Sequence, residues 1–269
     1  MTRRGSPAAK INLSLVVGPR GACGKHELLT VYQRIALADE LEVRSADRVY
    51  VEGFPEDTLV AQALEELAAA GGSTLAARIE KRIPVAAGLG GGSTDAAAAL
   101  VLGNELSPAP VPLERLHEIA RALGADVPFF LREGPQLGAD DGSSLTPLDL
   151  PQDYTVLLFL SDDAKKTSTA DVYAQFDERG GERGFAERRD RLRESLGLVR
   201  RAEDLAALPP NDLISSPAAA ELRAAGAFRA DATGAGPAVY GLFRSKAAAE
   251  AAEQRLSGLG RTWITTPAW

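Results

Sequence analysis

Apolar and polar residues alternate from Ile11 to Val17, placing Ile11, Leu13 and Leu15 on one face and Lys10, Asn12 and Ser14 on the other. This period of two predicts a β-strand, and on alternation alone the polar face of an edge strand turned to water. Leu28–Ala38, Glu40–Val43, Val49–Glu52 and Leu75–Ile83 predict further strands. Over Thr58–Ala70 the period changes: Leu59, Ala63, Leu64 and Leu67 recur at helical spacing, and Gly71-Gly72 ends the helix. Helices are also predicted at Thr94–Leu106 and Leu113–Leu123, the second with Leu113, Leu116, Ile119, Ala120 and Leu123 on one face and Pro112 suited to its first turn. Beyond them come a buried strand (Thr155–Leu160), a densely charged helix (Phe185–Arg201), a short helix (Ala218–Ala225), a strand (Pro237–Phe243) and an Ala-rich helix (Lys246–Leu256). Strands precede mixed elements with no regular βαβ repeat, which disfavours a doubly wound sheet and predicts a two-layer α+β architecture in two lobes. The Pro-bounded stretch Pro147–Tyr154 marks the expected boundary, giving lobes 1–150 and 151–269.

Composition narrows the class. A chain of 269 residues that is 45% hydrophobic is long enough for a real core. A net charge of −7 argues against nucleic acid or an anionic membrane as the main partner. The single cysteine, Cys23, excludes an internal disulfide and fits a reducing cytoplasm, the expected location. No apolar run is long enough to span a bilayer, and Arg3 and Arg4 are not followed by the apolar stretch of a secretory signal. Two histidines and one cysteine do not make a usual zinc site.

The chemistry is concentrated in Pro84-Val85-Ala86-Ala87-Gly88-Leu89-Gly90-Gly91-Gly92-Ser93-Thr94-Asp95. Four glycines in five residues, leading into Ser/Thr and an Ala-rich run, predict a loop that can approach a ligand closely and feed a helix N-terminus. Free N–H groups and the positive end of the helix dipole suit polyphosphate. The loop is not the G-x-x-x-x-G-K-[ST] type, because Gly92 stands where lysine is required, nor the dinucleotide G-x-G-x-x-G, because Ser93 stands where the third glycine belongs. Two further segments stand out. In Gly124-Ala125-Asp126-Val127-Pro128-Phe129-Phe130 an acid precedes an apolar run, and cap preference alone makes Asp126 a turn cap. Asp231-Ala232-Thr233-Gly234-Ala235-Gly236-Pro237 is a second glycine loop, either a plain turn or a partner closing around the same phosphates.

These segments resemble the GHMP kinases, the small-molecule kinases that include galactokinase and the homoserine, mevalonate and phosphomevalonate kinases. The resemblance is carried by P-x-x-x-G-L-G-G-G-S-T-D at 84–95, A-K-I-N-L at 9–13, G-x-H-E-L at 24–28, G-A-D-V-P-F-F at 124–130, S-T-A-x-V-Y at 168–173, N-D-L at 211–213 and T-G-A-G-P at 233–237. It implies a two-lobed GHMP kinase fold, with a ribosomal protein S5 domain 2-like N-terminal lobe and a ferredoxin-like C-terminal lobe. It also implies ATP and Mg²⁺ as cofactors, and a cytidine diphosphate sugar alcohol as the small-molecule substrate. By the same resemblance Asp126 faces the substrate hydroxyl and accepts or orients its proton, and Lys10 keeps Asp126 ionised and steadies charge near the phosphate. Loop N–H groups hold the phosphates, and the hydroxyl of Ser93 or Thr94 reaches the metal. Lys25, His26 and Tyr173 stand where the family holds a cytosine ring, with Asn12 and Thr169 adding hydrogen bonds to the substrate. The sequence departs from the family at Lys25, where an aromatic residue is usual, at Thr58, where asparagine is usual, and at Asp140-Asp141-Gly142-Ser143, where a G-x-G-E run is usual. Lys25 leaves open a GHMP kinase for another small alcohol. A non-catalytic nucleotide-binding regulator would not need Lys10 and Asp126 together.

Overall fold

A computed structural model describes residues 1–21, 24–54, 57–164 and 167–269; Cys23 lies outside the described residues. Along the chain run strands β1 (Thr2–Gly5), β2 (Ala8–Arg20), β3 (His26–Ala38), β4 (Glu40–Ser45) and β5 (Tyr50–Glu52), helix α1 (Thr58–Ala69), strand β6 (Leu75–Glu80), and helices α2 (Gly91–Leu106) and α3 (Leu113–Leu123). A 3-10 turn at Val127–Leu131 leads to β7 (Gln136–Ala139), β8 (Ser144–Pro147) and β9 (Thr155–Ser161). Then come α4 (Thr169–Glu178), α5 (Phe185–Leu198), a 3-10 turn at Ala202–Ala207, α6 (Pro217–Ala224), β10 (Arg229–Ala232), β11 (Val239–Phe243), α7 (Lys246–Arg255) and β12 (Gly260–Thr265). Sheets and helices mix as the α+β expectation requires.

The residues fall into two compact units that interleave along the sequence. The first comprises Met1–Ala9, Leu37–Val85 and Gly90–Glu133, the second Lys10–Ala36, Ala86–Leu89 and Gly134–Trp269. The first unit holds a sheet in the order β1-β4-β6-β5, antiparallel except for the parallel pair β5–β6. Its core joins Val43 and Ile79 of the sheet to Leu64 and Leu67 of α1 and to Ala96, Ala97 and Leu100 of α2. The alanines of α2 are small because the helix is nearly enclosed. At Gly103 even a Cβ would come within 2.7 Å of Leu75 and 2.8 Å of Leu67. Asp57 caps α1, accepting from the backbone N–H groups of Leu59 (3.1 Å) and Val60 (3.3 Å). Thr58, at the departure from the family pattern, is the exposed first residue of that helix.

The second unit holds two sheets, ordered β2-β3-β7-β8 and β10-β11-β9-β12. Strand β10 is buried throughout although it carries Arg229 and Asp231. The burial is tolerable because both charges are partnered. The Arg229 guanidinium donates to the carbonyls of Leu205 (3.0 Å), Leu208 (2.7 Å) and Pro209 (3.0 Å) and to the Tyr240 hydroxyl (3.0 Å). Burial raises the Asp231 carboxyl above the usual range, opposed by Arg229 and by the N–H groups of Asn211 and Ala232. Arg229 therefore fixes the 205–209 segment on β10, directly before the second glycine loop. No helix among the described residues is long and apolar enough to cross a membrane.

Two sequence expectations are corrected. The polar face of the first strand does not meet water: Lys10, Asn12 and Ser14 are only 3%, 3% and 1% exposed, because side chains and loops of the same unit supply their hydrogen bonds. Helix α2 begins at Gly91 rather than Thr94, since Gly90 in the left-handed region (φ 71°) is its N-cap and no side chain caps it.

Candidate active site

The glycine loop winds in alternating hands. Ala86, Gly88 and Gly90 have φ of 57°, 86° and 71°, while Ala87 and Leu89 do not have positive φ. Positive-φ residues at alternate positions are one ingredient of an anion-binding nest, in which successive N–H groups turn toward one side. The loop then runs into the first turn of α2, whose leading N–H groups have no partner within the helix. Gly92 leaves open space there: the nearest atom to a Cβ would be Asp57 Oδ2, at 3.7 Å. Ser93 is half-buried and Thr94 buried in that first turn.

In the second unit the two glycine loops touch. The Ala238 N–H donates to the Ala87 carbonyl at 3.1 Å, a Cβ on Gly88 would overlap the Thr233 carbonyl, and one on Gly236 would overlap the backbone of Ala87 and Gly88. Thr233 Oγ1 accepts the Asn12 N–H at 3.0 Å, and the Lys10 N–H donates to the Leu89 carbonyl at 2.9 Å. Lys10 Nζ donates to Asn12 Oδ1 at 2.7 Å, and Asn12 Nδ2 donates to Thr30 Oγ1 at 2.8 Å. A Cβ on Gly234 would lie 3.4 Å from Lys10 Nζ. The buried start of β2 is thus packed between both glycine loops, with the Lys10 ammonium at the second. Asn211 holds that second loop from behind, donating to the carbonyls of Ala232 (3.2 Å) and Gly234 (2.8 Å).

Other predicted residues of the second unit gather on β3 and α4. His26 is buried, its Nδ1 lying 2.7 Å from the Gly18 carbonyl and its ring stacked on Tyr173 at 5.0 Å between centroids. Its Nε2 lies 3.3 Å from Asp177 Oδ1 without making a hydrogen bond, and Asp177 is itself held by Arg20 at 2.7 Å. Thr169 is exposed at the first position of α4, behind its cap Ser168. Lys25 pairs with Asp141 at 2.6 Å, so two of the departures from the family pattern meet each other. Burial works to raise the Asp141 carboxyl, but Lys25 and Ser143 outweigh it and hold it below the ordinary range.

In the first unit Asp126 is half-buried at the head of the 3-10 turn, and its side chain makes no capping bond, contrary to what cap preference predicts. A feature the sequence reading missed lies beside the loop. Lys81 Nζ bridges Asp39 Oδ2 (2.6 Å) and Asp95 Oδ2 (2.8 Å), both carboxylates being fully buried. Burial pushes Asp95 up to about 7, opposed by Lys81. Burial also works against the Lys81 charge, but the two aspartates hold its ammonium above the ordinary range. The only sequence signal was position: Lys81 shortly precedes the glycine-loop motif and Asp95 closes it.

A family model described as GHMP kinases N terminal domain matches residues 58–134, and one described as GHMP kinases C terminal matches residues 193–262. A protein of Deinococcus radiodurans named 4-diphosphocytidyl-2-C-methyl-D-erythritol kinase is 37% identical, with 100% of this chain and 95% of that protein covered. The chain belongs to the GHMP kinases. A relative of the same name from Anaeromyxobacter sp. (strain Fw109-5) is 36% identical over 93% of this chain and 85% of its own. Among solved structures, a 4-(cytidine 5'-diphospho)-2C-methyl-D-erythritol kinase superposes with a TM-score of 0.78 at 31% identity, covering 99% of this chain and 100% of that one. A mevalonate kinase superposes with a TM-score of 0.76 at 13% identity, covering 100% and 99%, and shares the fold. As a GHMP kinase the protein is a small-molecule kinase, and its partners are ATP and a small-molecule acceptor.

Proposed function

We propose that this GHMP kinase transfers the γ-phosphoryl group of ATP to the 2-hydroxyl of 4-diphosphocytidyl-2-C-methyl-D-erythritol, in the cytoplasm, as a step of non-mevalonate isoprenoid precursor synthesis. The whole-length likeness to proteins of that name carries the reading. Residues 1–150 form the N-terminal and 151–269 the C-terminal GHMP kinase lobe, a division supported by the two matched family segments falling on either side of it.

The hydroxyl oxygen attacks the γ-phosphorus, the bond to the β–γ bridging oxygen breaks with its electron pair leaving on ADP, and the hydroxyl proton passes to Asp126. Loop N–H groups from Ala87 to Ser93 hold the phosphates, the Thr94 N–H being taken by the Gly90 carbonyl, and Lys10 steadies the charge spread over the transferring group. Mg²⁺, when bound, neutralises phosphate charge. Among the described residues no cluster of three or more acidic, His or Cys side chains could hold a metal ion. In this reading the Ser93 or Thr94 hydroxyl is the protein ligand of Mg²⁺, nucleotide phosphates and water completing its shell. Tyr173, backed by buried His26, offers a ring face to the cytosine, and exposed Thr169 offers a hydrogen bond, whereas the Asn12 amide, expected to contact the substrate, is buried and already paired with Lys10 and Thr30.

Inhibition kinetics test the substrate half. CDP is expected to compete with the alcohol and not with ATP. Lys25→Tyr, which trades the Asp141 ion pair for a second ring, is expected to lower KM for the cytidyl alcohol severalfold at unchanged kcat. Failure of CDP to compete would move the acceptor to a different small alcohol.

A further inference from the structure

The glycine loop leaves and re-enters the first unit, through Lys81–Val85 on one side and Gly90–Asp95 on the other. Two buried aspartates and one lysine tie the two ends together. Asp39, between β3 and β4, accepts with Oδ1 from the backbone N–H groups of Arg82 (2.5 Å) and Ile83 (2.7 Å), which fixes the entry of the loop. Its other oxygen takes the Lys81 ammonium at 2.6 Å, and the same ammonium reaches Asp95 in α2 at 2.8 Å, which fixes the exit. The ammonium also explains a glycine. A Cβ at Gly91 would sit 3.2 Å from Lys81 Nζ and 3.2 Å from Ile83, so the first residue of the helix is bare where the tie passes beneath it.

A lysine close under a helix N-terminus opposes the helix dipole. Its place there requires compensation, which Asp39 and Asp95 supply at short range and out of water. The alternative of three apolar residues would fill the same space without linking the backbone of the loop entry to the helix start. We propose that Asp39, Lys81 and Asp95 are positioning residues, a buried tie that sets the separation of the two ends of the glycine loop and so presents the loop N–H groups to the phosphates of ATP. This rests on the assignment of that loop to ATP.

Asp95→Ala is the informative variant. It cuts the helix end of the tie and leaves Asp39 and Lys81 as a neutral pair, so the fold is expected to survive. ATP affinity, read by titration calorimetry on the whole protein, is expected to fall about tenfold. The KM for ATP should rise in step, with kcat within about twofold of wild type, and the Thr94 amide, which donates to Gly90 at 2.9 Å, should exchange with solvent faster. Asp95→Asn keeps an oxygen that can accept from Lys81 and is expected to restore most of the affinity. Unchanged affinity in Asp95→Ala, or an equal loss in Asp95→Asn, would overturn the tie. If Asp95→Ala does not fold, Lys81→Arg, which keeps a two-sided cation, is expected to bind ATP within about threefold of wild type, and a larger loss overturns the tie. A wild-type protein that does not bind ATP would overturn the ATP assignment itself, a result distinct from wild-type binding that Asp95→Ala leaves intact.

Discussion

Asp126→Asn is expected to remove most of the kinase activity while leaving the protein folded. General-base catalysis typically contributes 10²–10⁴-fold, so kcat should fall by about that factor. Asparagine matches the shape of aspartate but does not take up the hydroxyl proton. The structure separates this outcome from its simplest rival. If Asp126 were only a cap, asparagine, an equally good cap, would leave both stability and kcat near wild type. The side chain makes no capping bond, and the turn it heads is fixed by the burial of Val127, Pro128 and Phe129. Melting temperature within a few degrees of wild type, KM for ATP little changed and kcat collapsed is therefore the expected pattern. Activity near wild type would remove Asp126 from the mechanism.

The second large effect is expected at Gly236→Ala. Gly236 is not in the left-handed region, so backbone preference raises no objection to alanine. The objection is space: the new methyl would overlap Ala87 and the nitrogen of Gly88, backbone atoms with no rotamer through which to yield. Relief requires the two glycine loops to separate, displacing the N–H groups proposed above to hold the phosphates. Overpacking of this kind costs about 1–3 kcal/mol in stability. The larger loss is expected in kcat/KM for ATP, about 100-fold, as a small displacement at a phosphoryl-transfer site is expensive. Gly197→Ala is the control. Gly197 lies in α5, a Cβ there would meet nothing within 4 Å, and the change is expected to stabilise the helix slightly. If Gly236→Ala behaves like Gly197→Ala, the contact between the loops has no part in catalysis.

Where burial follows one regular period, the sequence is enough to read the fold. Helix α3 spans the predicted Leu113–Leu123, and α1 ends one residue before the predicted Ala70. Elements escape where burial is sparse or paid for by pairing. Helix α4 buries only Val172 and Phe176, too few positions to show a helical period. Strand β10 hides behind Arg229 and Asp231, whose charges argue for exposure until their partners are seen. Strand β12 is half-exposed along most of its length and has no clean alternation.

The site divides in the same way. The glycine loop, Lys10 and Asp126 stand out as motifs because their chemistry is local in sequence. The supporting groups are not local. Asn211 acts on Gly234 across 23 residues, and Asp39 on Lys81 across 42. Neither pairing has a signature in a single sequence, since an aspartate between two strands and an asparagine after two prolines both read as turn residues. Lys25 shows the same limit: its partner Asp141 lies 116 residues away, and only the structure joins the two departures from the family pattern.

The identity of the phosphoryl acceptor is directly measurable. Its most direct test supplies the purified protein with γ-labelled ATP, Mg²⁺ and equal concentrations of 4-diphosphocytidyl-2-C-methyl-D-erythritol, homoserine and mevalonate, and follows where the label goes. Label appearing almost entirely on the cytidyl alcohol, in step with ADP release and absent with Asp126→Asn, is the predicted result. Label on homoserine or mevalonate, with none on the cytidyl alcohol, would contradict it.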